Sequence, residues 1–151
     1  MSGPPLFHTS VRPEWIDYNG HMSEAFYVLV FGYATDALMD GTGLDAAYRE
    51  RTGCSLYTVE SHVRYLRDVP EGAALTVRTR VLGAAGKKAR FTHEMSIGAD
   101  DPEPVATIEL LALHVDQEAG RAVPFPDAVR ERFAALAEAP PQWAGRSVTG
   151  P

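Results

Sequence analysis

The sequence predicts an α+β fold: one long central helix wrapped by a five-stranded antiparallel sheet. Two features carry this expectation. A nearly uncharged run, Ala25 to Met39, is too apolar for a surface helix. The second half of the chain then alternates apolar and polar residues in strand after strand.

The elements follow in order. Leu6 to Val11 reads as a short edge strand, and Arg12-Pro13-Glu14 stops it, because proline has no N–H for a ladder. Asp17-Tyr18-Asn19-Gly20 carries turn chemistry, and Ser23 followed by Glu24 suits a helix start. In the apolar run Asp36 is the only formal charge, so a helix there must be covered on most sides, with Asp40-Gly41-Thr42-Gly43 ending it. Leu44 to Arg51 reads as a short surface helix.

Ser55 to Arg67 places Tyr57, Val59, Val63 and Tyr65 on one strand face and Thr58, Glu60, His62 and Arg64 on the other. Ala74 to Leu82 sets Leu75, Val77 and Val81 opposite Thr76, Arg78 and Arg80, and Gly83 to Gly86 suits a hairpin turn. Lys88 to Ile97 turns Phe91, Met95 and Ile97 inward, with Lys88, Arg90 and Glu94 outward. Val105 to Val115 is apolar enough for a strand central in its sheet. Asp116 to Gly120 is a turn, and Pro126 to Glu138 a closing amphipathic helix. The helix should span about 23 Å and the longer strands about 36 Å, enough to curl around it. A sheet of this size leaves apolar surface bare, which predicts a homodimer or homotetramer joined through sheet edges.

Composition sets limits. At 151 residues, the expectation is one domain over residues 1–138 with a flexible tail over 139–151. Met1 to Pro5 lacks the basic and apolar start of a secretory signal, and no apolar stretch reaches membrane-spanning length, which predicts a cytoplasmic protein with no membrane partner. A single cysteine, Cys54, cannot form an internal disulfide and reads as a small buried residue. The net charge of −6 argues against nucleic-acid binding. A local cluster, Lys87, Lys88 and Arg90 beside Gly86, can still hold a small anion. His8, His21, His62, His93 and His114 share no metal-ligand spacing, so neither metal nor cofactor is expected.

The segment Asp17-Tyr18-Asn19-Gly20-His21-Met22-Ser23-Glu24-Ala25-Phe26-Tyr27 resembles the signature of the 4-hydroxybenzoyl-CoA-type thioesterases of the hot-dog superfamily. Asp17, Gly20, His21 and Tyr27 match that pattern, and Met22 fills its apolar place. Ser23 and Glu24 depart from its usual Asn pair. The likeness extends over roughly residues 6 to 135. More narrowly, Trp15 to Met22 and Tyr57-Thr58-Val59-Glu60 resemble the betainyl-CoA thioesterases of carnitine breakdown.

The resemblance implies hydrolysis of an acyl-CoA thioester, a reaction that needs a group to attack the carbonyl or activate water, and donors for the developing oxyanion. Asp17 fits the first role, as general base or as nucleophile. Backbone N–H groups near Ser23 and Glu24, at the positive end of the helix, fit the second. Each residue also has a plainer reading. Asp17 can satisfy its own turn, His21 can shape the loop, Tyr27 can be core, and Gly20 can serve the backbone alone. Glu60 reads either as a solvated carboxylate or as a partner of Glu24 around a cationic acyl group, with Trp15 or Tyr18 giving a cation–π face. Lys87, Lys88 and Arg90, with Arg64 or Arg67 as alternates, read either as a solvated hairpin or as binders of CoA phosphates. The rival function is an acyl-CoA-binding hot-dog protein without catalysis, which would not require Asp17. A hot-dog dehydratase lacks its His and Glu arrangement here.

Overall fold

The computed structural model describes residues 6–98 and 103–151; the reading of Met1 to Pro5 lies outside them. Strand β1 (Leu6–Ser10) and a 3₁₀ turn (Pro13–Trp15) precede helix α1 (Glu24–Thr42) and helix α2 (Ala46–Thr52). Strands β2 (Cys54–Tyr65), β3 (Ala74–Ala85), β4 (Lys88–Ile97), β5 (Ala106–Asp116) and β6 (Arg121–Ala122) follow, and helix α3 (Asp127–Leu136) closes the chain. The sheet order is β1-β3-β4-β5-β2, with β6 attached to β5. One long helix and five principal antiparallel strands make the hot-dog arrangement the sequence predicts. The two-residue β6 was too short to leave a pattern.

By contact density the chain divides into two units. The first comprises Met1–Leu38, Val63–Thr79 and His93–Ile108. Here β1 pairs antiparallel with β3, Leu6 facing Arg78 and Ser10 facing Ala74. Its core is built from Val30, Phe31, Leu75, Met95 and Ile108, all essentially inaccessible. At its centre His93 is fully buried, stacked on Phe31 with ring centroids 6.0 Å apart. Thr35 donates its hydroxyl to the Phe31 carbonyl at 3.2 Å and lies 2.8 Å from His93 Nε2, so Nε2 carries the proton and donates to Thr35. Nδ1 then accepts from the Thr79 hydroxyl at 2.9 Å. Burial pushes the His93 pKa down to about 3, so the ring is neutral.

The second unit comprises Met39–His62, Arg80–Thr92 and Glu109–Pro151. It holds the end of α1 at Thr42, inside the predicted stop Asp40 to Gly43. Gly43 adopts φ +92°, and the Leu44 N–H returns to the Met39 carbonyl at 2.9 Å, a Schellman closure. Helix α3 seats Val129 and Phe133 inward, and Phe133 meets Phe125 at 5.5 Å. His114 donates from Nδ1 to the Val123 carbonyl at 3.0 Å, which leaves Nε2 to accept from the Tyr48 hydroxyl at 2.8 Å. In the tail, the Gly145 N–H donates to Glu109 Oε1 at 2.6 Å.

Several expectations need correction. Strand β3 runs through Ala85, so the hairpin turn is Gly86-Lys87 alone. Cys54 is half-buried at the start of β2 rather than sealed in the core. Tyr57, Val59 and Tyr65, expected together on the apolar face of β2, are 44, 53 and 45% exposed, on the strand that ends the sheet. Helix α1 buries one face and leaves Val28, Leu29 and Tyr33 exposed, so its apolar character all round does not mean burial all round.

Candidate active site

The first unit contains an open pocket of about 480 Å³ at the start of α1. Its loop is fixed from both sides. The Ser23 N–H donates to the Trp15 carbonyl at 2.9 Å, and the Met22 N–H donates to the Val69 carbonyl at 2.8 Å. Trp15 is only 5% exposed and stacks on Phe26 with centroids 5.6 Å apart, pinning the loop to the first helical turn. Inside the loop the Asp17 N–H donates to the His21 carbonyl at 3.1 Å, and the Gly20 N–H donates to the Asp17 carbonyl at 3.0 Å. Gly20 sits at φ +83°, a conformation that a side chain disfavours, so glycine is needed to close this turn.

Asp17 lines the pocket, and its Oδ1 accepts the Asn19 N–H at 2.8 Å. The plain turn role is therefore real, and it occupies one carboxylate oxygen. Glu24, His21 and Tyr27 line the same pocket. Tyr27 is buried, donates its hydroxyl to the Arg67 carbonyl at 3.2 Å, and meets Tyr65 edge to face at 5.1 Å. Burial, and then the charges of Asp68, Tyr65 and Asp17, hold its hydroxyl above the ordinary tyrosine pKa, so it stays a donor. His21 Nδ1 lies 3.9 Å from Asp68 Oδ2, the histidine half-exposed and the aspartate largely in solvent.

Other proposed site residues lie elsewhere. The Ser23 amide is committed to Trp15, which leaves Glu24 as the remaining candidate amide for an oxyanion. Trp15 cannot offer a face to a substrate: Phe26 stacks on it, the Arg12 guanidinium sits 5.7 Å from its ring centre, and the residue is buried. Tyr18 is 97% exposed and does not line the pocket. Glu60 lines a different hollow, of about 220 Å³ in the second unit, with His62, Arg90, Glu109 and Arg146. The pairing of Glu60 with Glu24 around one acyl group does not occur within this pocket. Arg90 is tied to Glu109 through Nε and Nη2, each 2.5 Å from Oε2, so it is not a free phosphate binder. Lys87 and Lys88 are exposed at the hairpin. Arg64 is exposed, and the Arg67 guanidinium donates to the Glu103 carbonyl at 2.7 Å.

Sequence reasoning missed the pocket's second wall, Tyr65, Leu66 and Asp68. The Met22 to Val69 hydrogen bond and the Tyr27 contacts with Tyr65 and Arg67 hold that segment beside the Asp17 loop. A contact between residues so far apart leaves no periodic trace.

Residues 11–133 match the family model of the thioesterase-like superfamily. The chain belongs to that superfamily. A betainyl-CoA thioesterase of Pseudomonas aeruginosa is 45% identical over 133 residues, which cover 88% of this chain and 83% of that protein. An L-carnitine dehydrogenase/betainyl-CoA thioesterase of Agrobacterium fabrum is 50% identical over 124 residues, 82% of this chain but 25% of that longer protein. A solved Pseudomonas putida KT2440 structure superposes with a TM-score of 0.84 at 36% identity, covering 100% of this chain and 99% of that one. This member of the thioesterase-like superfamily is accordingly a thioester hydrolase with the hot-dog fold. Among the described residues no helix is long and apolar enough to cross a membrane, and no group of His, Cys, Asp and Glu is placed to hold a metal ion.

Proposed function

We propose that this thioesterase hydrolyses betainyl-CoA, with Asp17 as the group that opens the thioester. The observation that carries the reading is the placement of the Asp17 carboxylate in the pocket that begins at the N-terminus of α1. Its Oδ2, the oxygen not engaged by Asn19, either attacks the acyl carbon to form a mixed anhydride or takes a proton from an attacking water. On both routes the carbonyl oxygen becomes negative beside the Glu24 amide and the positive end of the helix, and the CoA thiolate leaves; on the first route water then hydrolyses the anhydride, and on the second the attacking water is already part of the free acid. His21 shapes the loop through its carbonyl, and Gly20 closes it.

The 45% identical relative named for betainyl-CoA supports the acyl group. Lys87 and Lys88, exposed and among the described residues without a carboxylate partner like that of Arg90, are the side chains suited to the CoA phosphates. A free-thiol assay over betainyl-, acetyl-, benzoyl- and longer acyl-CoAs tests the substrate. Betainyl-CoA should give the highest kcat/KM, with a KM that rises with ionic strength. Faster turnover of benzoyl-CoA would overturn the assignment, and CoA binding without thiol release would favour the non-catalytic reading.

The bare face of α1 and the apolar residues of the edge strand β2 support a homodimer or a higher homo-oligomer. Light scattering should return a multiple of the 16.4 kDa chain mass. A mass of one chain at assay concentration would remove the oligomer.

A further inference from the structure

A betainyl group places its quaternary nitrogen one methylene away from the thioester carbonyl. Whatever holds that cation must therefore line the same pocket as the group acting on the carbonyl. A trimethylammonium carries no N–H, so a hydrogen-bond acceptor cannot grip it directionally. An aromatic face, helped by nearby negative charge, suits it instead.

Two aromatic residues line the Asp17 pocket, Tyr27 and Tyr65. Tyr27 is buried, with its hydroxyl committed to the Arg67 carbonyl. Its ring meets Tyr65 at 90°, and an edge-to-face pair leaves at least one face of Tyr65 free of Tyr27. Tyr65 is 45% exposed on the pocket wall. Glu24 lines the same pocket as Tyr65, and burial first, then the Glu24 charge, raises the Tyr65 hydroxyl pKa. The other carboxylates have separate tasks. Asp17 accepts the Asn19 amide and is the group proposed to act on the carbonyl, and Asp68 lies near His21 at 3.9 Å.

On the reading that this pocket takes betainyl-CoA, we infer that Tyr65, braced by Tyr27 and flanked by the Glu24 carboxylate, selects a quaternary ammonium acyl group over a neutral one of the same shape. The role that the sequence assigned to Trp15 or Tyr18 passes to Tyr65, and of the expected pair Glu24 and Glu60 only Glu24 lines this pocket.

The test compares betainyl-CoA with 3,3-dimethylbutanoyl-CoA, in which carbon replaces the quaternary nitrogen. Tyr65→Leu should lower the kcat/KM ratio of charged to neutral substrate about tenfold, chiefly through KM for betainyl-CoA. Tyr65→Phe, which keeps the ring, should restore the ratio to within about twofold of wild type. Glu24→Gln should lower the ratio at low salt and less so at high salt. Circular dichroism establishes that each variant is folded. If Tyr65→Leu slows both substrates equally, or leaves the ratio unchanged, the role of Tyr65 is overturned while the betainyl-CoA assignment stands. If the wild-type enzyme itself shows no preference for the charged substrate, the assignment and the inference fall together.

Discussion

Replacing Asp17 by Asn should abolish thioester hydrolysis, by on the order of a thousandfold or more in kcat, and leave the fold intact. The variant separates the turn role that the structure shows for this side chain from the catalytic role proposed for it. Oδ1 of Asp17 accepts the Asn19 amide, and the carbonyl oxygen of an asparagine accepts the same bond, so the turn survives. The negative charge and the second carboxylate oxygen do not. Asp17→Ala would remove both functions and blur the result. Thiol release by Asp17→Asn within a factor of ten of wild type would reduce Asp17 to a turn residue.

The second large effect concerns acid stability and belongs to His93. In the folded chain its pKa is lowered to about 3 by burial, against 6.5 for a free imidazole. Below pH 6.5 the unfolded chain takes up a proton that the folded chain refuses. Stability from this residue is therefore complete above pH 6.5 and is lost as pH falls toward 3, with a limiting slope of about 1.4 kcal/mol per pH unit and a total near 5 kcal/mol. Urea midpoints from pH 7 to pH 4 should fall more steeply for wild type than for His93→Gln. The variant starts lower at neutral pH, having lost the stack on Phe31, and its profile should be flatter. Parallel profiles would show that His93 takes no part in acid unfolding.

The sheet was legible because β3, β4 and β5 each lie between two neighbours, so their apolar residues are buried as alternation or a continuous apolar run requires. Strand β2 has the same alternation at the end of the sheet. There Tyr57 and Val59 face outward, because a sequence records that a residue is to be covered without recording by which chain. Helix α1 teaches the same point through Val28, Leu29 and Tyr33. The central half of the pocket was legible as well: Asp17, His21, Glu24 and Tyr27 form one local segment whose turn and helix chemistry place them together. Trp15 was misjudged because an aromatic beside a polar loop fits a ligand face or a packing anchor equally well, and only the stack on Phe26 decides between them. Arg90 was misjudged because its partner, Glu109, lies across the sheet on β5. Tyr65 and Asp68 enter through a backbone contact at Val69 that no local pattern announces.

The most direct test of the account is a crystal structure of the Asp17→Asn enzyme trapped with betainyl-CoA. The thioester carbon should lie about 3 to 3.5 Å from the position 17 side chain, with its oxygen toward the Glu24 amide. A thioester bound elsewhere, for example beside Glu60 and His62, would contradict the assignment of this pocket as the place where the bond is broken.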